Sequence, residues 1–302
     1  MIDQKVGIVG LGHMGGGIAR NFHKSGVPLA VWDIAPAACR AFAGLAGVDI
    51  APPGEMAATC TVMIFVVPAT PEITSCLEGD HGVLAMAAEG LVVYDFTTSD
   101  PRATRELAAR ASVRGISYLD AGMSGGAAGA DAGTLTLMIG GDKAAFERTR
   151  TLLDTIASRI FYLGGSGAGH TLKLIHNMVL HTIFLATCEG GRMAEAAGIN
   201  LADMIDVFNV SNARSFISEV RFPRHILSKK WDARSRVYNL RKDVSMAVEL
   251  AGALDRKVPL GAVTRDFLDA AIAQGMTDTD FTRLYERFDE IIAAAGDKKS
   301  PG

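Results

Sequence analysis

Along the first half of the chain, short apolar runs alternate with stretches whose apolar positions recur at helical spacing. The runs fall at residues 5–9, 29–32, 62–66, 91–95, 117–121 and 135–139 and predict strands. Strands alternating with helices predict a parallel sheet covered on both faces, an α/β doubly wound domain. After about Gly169 the strand pattern stops. A long apolar helix is expected over 170–197, closed by Gly198 as a C-cap. Further helices are expected over 201–210, 241–254, 260–274 and 279–295, with a frayed polar tail over 296–302. The expected organisation is a sheet domain over 1–163 and an all-α C-terminal domain over 164–302, joined by the long helix.

The first strand runs into Gly10-Leu11-Gly12-His13-Met14-Gly15, a GxGxxG turn followed by helical spacing through Ile18, Ala19 and Phe22. Such glycines serve a tight turn, close approach of backbone to a pyrophosphate, and close contact between helix and sheet. The second predicted strand ends in Trp32-Asp33, where a carboxylate bonds the adenosine ribose and repels a 2′-phosphate. Strand, glycines, helix and acid in this order predict a Rossmann domain that binds NAD. Asp33 read alone could instead begin a turn before Pro36. Two later turns, Val67-Pro68-Ala69-Thr70 and Asp95-Phe96-Thr97-Thr98-Ser99, fall at strand ends where a cofactor would lie. For Thr97, Thr98 and Ser99, helix capping ahead of Pro101 is an equal reading.

Two clusters carry candidate chemistry. Asp120-Ala121-Gly122-Met123-Ser124-Gly125-Gly126 ends a strand with small residues and a hydroxyl, a concavity suited to a carboxylate or merely a Gly-rich turn. Gly167-Ala168-Gly169-His170-Thr171-Leu172-Lys173-Leu174-Ile175-His176-Asn177 opens the long helix. Lys173 and Asn177 are four apart and share a face, which His170 and His181 extend. A lysine partly withdrawn from water exchanges protons near neutrality, as alcohol–carbonyl interconversion requires. A lysine this close to the helix start could equally reach solvent. His176 lies about 100° off that face and reads as a packed histidine.

Bulk composition narrows the function. The 302 residues are 49% hydrophobic and 21% charged with a net charge of −3. That balance gives no reason to expect nucleic acid or an acidic membrane as partner. No apolar run is long enough to span a bilayer, and no leader peptide is expected because 6–9 already reads as a strand. Cys39, Cys60, Cys76 and Cys188 are scattered, with no metal-ligand or redox spacing. They fit a reducing cytoplasm, and no metal site is expected.

With these residues in place, the chain resembles the β-hydroxyacid dehydrogenase family (3-hydroxyisobutyrate dehydrogenase-like, related to 6-phosphogluconate dehydrogenase). The resemblance runs over about the whole chain through GLGHMG at 10–15, DAGMSGG at 120–126, GAGHTLKLIHN at 167–177 and Lys242-Asp243. It implies NAD-dependent oxidation of a small β-hydroxy acid, with Lys173 catalytic and Asn177 its partner. Ser124, Gly125 and Gly126 would hold the substrate carboxylate, beside Met123. Gly10, Leu11, Gly12, His13, Met14, Gly15, Asp33, Val67, Pro68, Glu72, Thr98 and Lys242 would touch the cofactor. Relatives that prefer NADP tend to carry Asn-Arg where this chain has Asp33-Ile34.

The chain departs from the family pattern DxPVSGG at Gly122 and Met123, which puts the substrate's shape in doubt. The stretch 209–243 is rich in Arg and Lys. It reads as a solvated basic face, or as one in which Arg214 or Arg241 meets a second anionic group of the substrate. Within the family, a reductase of a small semialdehyde is the main alternative. An imine reductase or a non-catalytic NAD-binding protein would be expected to lack Lys173, Asn177 or Ser124. The apolar long helix and its successors predict a homodimer or homotetramer.

Overall fold

The computed structural model describes residues 4–296. The chain forms two compact units, residues 1–173 and 174–302. The first contains β1 (Val6–Val9), α1 (His13–Lys24), β2 (Leu29–Trp32), α2 (Pro36–Arg40), β3 (Val48–Ile50) and α3 (Pro53–Thr59). It continues through β4 (Val62–Phe65), α4 (Thr70–Leu77), α5 (Val83–Met86), β5 (Val92–Asp95), α6 (Pro101–Val113) and β6 (Ser117–Ser124). It ends with α7 (Gly126–Ala132), β7 (Leu135–Gly140), α8 (Lys143–Leu153), β8 (Ala157–Tyr162) and the start of α9 (Ala168–Ala196).

The eight strands form one sheet in the order β3-β2-β1-β4-β5-β6-β7-β8. Ile8, Val31, Ile64, Tyr94, Leu119 and Leu137 lie in one buried cluster. Val9, Ala30, Met63, Phe65, Val93 and Tyr118 lie in another. Successive strand residues feed different clusters, so the central strands are apolar throughout rather than alternating. The sheet is not wholly parallel as expected: β7 pairs antiparallel with β6, and β8 runs parallel to β7. The link from β6 to β7 carries only the seven-residue α7. A parallel return needs a crossover of about a dozen residues or more.

In the second unit every element is helical. α9 is followed by α10 (Leu201–Asn209), a π-helix (Ile217–Leu227) and α11 (Val237–Ala253). After these come α12 (Pro259–Ala273), a 3-10 turn (Phe281–Leu284) and α13 (Phe288–Gly296). Phe184 and Cys188 of α9 enter a core with Phe222, Val244, Leu268, Phe281 and Ile291. The helix expected over 279–295 is broken into the 3-10 turn and α13, because the Asp280 carboxylate accepts from both the Thr282 N–H and its hydroxyl and starts a separate turn. The π-helix was not foreseen. The tail expected over 296–302 lies outside the described residues from 297 on. No described helix is long and apolar enough to cross a membrane.

Candidate active site

The glycine turn sits between β1 and α1, where the strand order reverses from β1 to β4. Gly10 has φ +94°, and a Cβ there would lie 2.3 Å from the Val66 carbonyl oxygen. A Cβ on Gly15 would lie 1.8 Å from the Gly10 carbonyl oxygen, so helix and turn touch backbone to backbone. A Cβ on Gly12 would meet nothing within 4 Å: its face is open. Gly12 caps α1 with no side-chain hydrogen bond, which leaves the first N–H groups for an anion. Asp33 accepts from the Leu11 N–H at 2.7 Å and the Ala35 N–H at 2.8 Å. It therefore shapes its own turn and also fixes the glycine loop, and each oxygen keeps a lone pair for a further donor. His13 is exposed, and Met14 lies against the core.

The next two strand ends complete this cradle. Val67 is part-buried, Pro68 exposed, and Glu72 stands exposed in the first turn of α4. After β5, capping of α6 belongs to Asp100, which accepts from the Arg102 N–H at 2.9 Å, and not to Thr97, Thr98 or Ser99. Thr97 Oγ1 and Ser99 Oγ are buried without a hydrogen-bond partner. Buried hydroxyls rarely remain unsatisfied. Open glycine, uncapped helix and orphaned hydroxyls together fit a dinucleotide at these strand ends.

The second glycine-rich loop, expected to hold a carboxylate, follows β6. Gly125, at φ +124°, and Gly126, at φ +61°, take conformations that side chains resist. Asp120, Gly122 and Ser124 alternate along β6 and so face one side of the sheet. The Asp120 carboxylate, fully buried, accepts from the Gly167 N–H at 2.7 Å and the His170 N–H at 2.8 Å, capping α9 from a distance. A Cβ on Gly122 would stand 2.6 Å from Lys173 Cβ. A Cβ on Gly169 would stand 2.3 Å from the Met138 carbonyl oxygen. The glycines of both motifs thus let the first turn of α9 press against β6, and Gly122 marks where Lys173 lies. Met123 points to the opposite side of β6, against the core.

Beneath this turn, His170 is buried with Nδ1 2.7 Å from Thr104 Oγ1 and Nε2 3.0 Å from the Asp95 carbonyl oxygen. Asp95 accepts from the Tyr118 hydroxyl at 2.7 Å and the Thr97 N–H at 2.9 Å. Burial pushes the Asp95 carboxyl up, opposed by His170 and Tyr118. Burial, and next Asp95, hold the Tyr118 phenol well above its ordinary value.

In the second unit, Asn177 is buried, and its Nδ2 donates to Asp243 Oδ2 at 2.6 Å. Asn177 Oδ1 lies 3.0 Å from His176 Nδ1. Lys242 Nζ lies 3.3 Å from Asp243 Oδ1. Asp243 orients Asn177, a role missed in the sequence although the residue stands in the Lys242-Asp243 motif. Arg214 is largely exposed and ion-pairs with Glu219 at 3.2 Å, and Arg241 pairs with Asp269 at 2.6 Å. Among the described residues no three His, Cys, Asp or Glu side chains converge as a metal site.

Residues 5–164 match the family model described as the NAD binding domain of 6-phosphogluconate dehydrogenase. Residues 167–288 match that described as NAD-binding of NADP-dependent 3-hydroxyisobutyrate dehydrogenase. The chain is similar to the NAD-dependent L-serine dehydrogenase of Pseudomonas aeruginosa, 30% identical over 293 residues, covering 95% of this chain and 98% of the relative. It is also similar to the 2-(hydroxymethyl)glutarate dehydrogenase of Eubacterium barkeri, 27% identical over 291 residues, covering 96% and 97%. Among solved structures, a 3-hydroxyisobutyrate dehydrogenase from Salmonella typhimurium superposes with a TM-score of 0.85 at 30% identity, covering 94% of this chain and 99% of that one. The chain belongs to the β-hydroxyacid dehydrogenase family and is an NAD-dependent oxidoreductase of hydroxy acids.

Proposed function

We propose that the protein oxidises a small β-hydroxy acid of the form HOCH2–CHX–COO⁻ to the corresponding semialdehyde acid. The hydroxy acids in the names of the three relatives all share that form and differ in X. In this reading Ser124 and the N–H groups of Gly125 and Gly126 hold the carboxylate. Lys173 accepts the hydroxyl proton on oxidation and returns it on reduction. Asn177, oriented by Asp243, hydrogen-bonds the reacting oxygen. Bound NAD⁺ supplies the hydride acceptor. Gly10, Gly12, Gly15, Asp33, Val67, Pro68, Thr98, Glu72 and Lys242 hold the dinucleotide.

The observation that carries the reading is the contact between Gly122 and Lys173. It puts the lysine on the side of β6 to which Ser124, two residues on, also points. A carboxylate bound at Ser124 is thereby brought to the lysine, as a β-hydroxy acid requires. Asp33 supports NAD over NADP, since its carboxylate would repel a 2′-phosphate. Leu172, Ile175, Val179 and Ile183 form an exposed apolar stripe along α9, which supports a homodimer or homotetramer. The scattered reduced cysteines support a cytoplasmic location.

The test is a panel of 2- and 3-hydroxy acids assayed with NAD and NADP by absorbance at the reduced nicotinamide. Turnover of at least one 3-hydroxy acid, with kcat/KM for NAD at least about tenfold above NADP, is expected. Turnover of 2-hydroxy acids alone, or faster turnover with NADP, would contradict the reading.

A further inference from the structure

Within the first unit, the face on which Ser124 stands continues to the edge of the sheet. Ser124 is paired with Thr136 of β7, and Thr136 with Arg159 of β8. Paired residues of adjacent strands share a face, so Ser124, Thr136 and Arg159 form one polar row across three strands. A register shift at Leu135–Thr136 makes this row. Without it Ser158 would stand opposite Thr136, and Arg159 would turn toward the core beside Leu137. Gly122 is paired with Met138 in the neighbouring row, and Lys173 packs on Gly122. The polar row and the lysine therefore stand on the same side of β6. Met123, Leu135, Leu137, Ile160 and Tyr162 face the core on the other side.

Each member of the row has bonding capacity to spare. Among the described residues, the Ser124 and Thr136 hydroxyls have no hydrogen-bond partner and Arg159 has no ion pair. Arg20, Arg102 and Arg150 of the same unit are paired with Asp131, Asp100 and Asp154. Ser124 and Thr136 are half-buried and Arg159 is exposed. Phe161, two residues beyond Arg159, is 52% exposed, so the row is open at the sheet edge. Neighbouring strands lie about 4.8 Å apart, which puts the Arg159 backbone about 10 Å from that of Ser124. An extended arginine spans that distance when a carboxylate stands between the two. The charge balance also asks for a cation. At Ser124 a carboxylate meets only neutral donors, the hydroxyl and the N–H groups of Gly125 and Gly126. Lys173 must be uncharged to accept a proton, and Asp120, farther along the same face, is itself a carboxylate. An anion drawn out of water without a counter-charge is costly.

We infer, on the reading that Ser124 holds the substrate carboxylate, that Arg159 supplies its counter-charge and Thr136 a further hydroxyl between them. The row then selects for anions, because a neutral hydroxy compound leaves the guanidinium unmatched. The cation comes from β8 and not from the basic stretch 209–243, where Arg214 and Arg241 are ion-paired. An arginine that only keeps an edge strand from pairing with other chains would treat acids and neutral analogues alike.

The test compares 3-hydroxypropionate with 3-hydroxypropionamide, which has nearly the same shape and no charge. For the natural protein, kcat/KM for the acid should exceed that for the amide by about 30-fold. Arg159→Gln should reduce that ratio to about threefold, with the loss in KM for the acid, and Arg159→Lys should restore part of it. Thr136→Val should raise KM for the acid by about fivefold. Added salt should lower kcat/KM for the acid more steeply in the natural protein than in Arg159→Gln. In parallel, calorimetry of the enzyme–NADH complex should show propionate binding about tenfold more weakly in Arg159→Gln, with no such change for propionamide. An acid-to-amide ratio that stays the same in Arg159→Gln, or an equal loss on both substrates, overturns the proposal. Arg159-dependent propionate binding without turnover of any hydroxy acid would sink the oxidation reading and leave the anion receptor standing. Turnover of 3-hydroxypropionate with propionate binding indifferent to Arg159 would do the reverse.

Discussion

Gly122 leaves open the space beside Lys173 Cβ that a side chain of its own would enter. Gly122→Ala would place a Cβ 2.6 Å from Lys173 Cβ, against a strand and a helix that are both fixed by Asp120. The expected outcome is overpacking of about 1–3 kcal/mol, read by denaturant melts, with kcat at least about tenfold lower as Lys173 is displaced. An unchanged kcat would mean that this contact does not position the lysine. At the cofactor end, Asp33→Ser combined with Ile34→Arg removes the repulsion and adds a phosphate partner. The ratio of kcat/KM for NADP over NAD should rise by about 100-fold, and a ratio that stays put would remove Asp33 from cofactor choice. The glycine trio, Asp33, Ser124, Lys173 and Asn177 were legible in the sequence because each stands in a short motif with a mechanical reason. Asp120 and Asp243 were not nominated. Their partners lie 47 and 66 residues away, and one sequence does not show which distant backbone or amide a buried carboxylate will meet.

The first turn of helix α9, where the proposed chemistry lies, is held by groups from the sheet. Asp120 satisfies two of its free N–H groups, and His170 ties it to Thr104 and the Asp95 carbonyl. Asp120→Ala would leave those donors buried and unpaired, at a cost of about 2–4 kcal/mol, seen as a lower denaturation midpoint and faster amide exchange at residues 167–171. Unaltered exchange there would show that the turn does not depend on Asp120. Six of the eight strands were legible, because central strands buried on both faces are continuous apolar runs. β3 and β8 were missed. Both are edge strands: β3 is three residues long with Asp49 at its centre, and β8 exposes Ser158, Arg159 and Phe161. The π-helix escaped for a related reason, since i→i+5 bonding and Pro223 leave no 3.6-residue period to detect.

The chain as a whole is an oxidoreductase of two units, with the glycine turn and the loop after β6 in the first and Asn177 and Asp243 in the second. The exposed stripe Leu172, Ile175, Val179 and Ile183 is expected to be covered by another copy. Sedimentation should show a dimer or tetramer, and Val179→Glu should shift it toward monomer by burying an unpaired charge. A natural protein that sediments as a monomer at working concentration would remove that expectation. The central claim, that Lys173 moves the proton while the cradle holds NAD, is tested most directly by Lys173→Ala with two readouts on the folded protein. The account predicts kcat on the best hydroxy acid at least about 100-fold lower, with the NADH dissociation constant within about twofold of the natural protein. Turnover near that of the natural protein would contradict it and leave a dinucleotide-binding fold whose chemistry lies elsewhere.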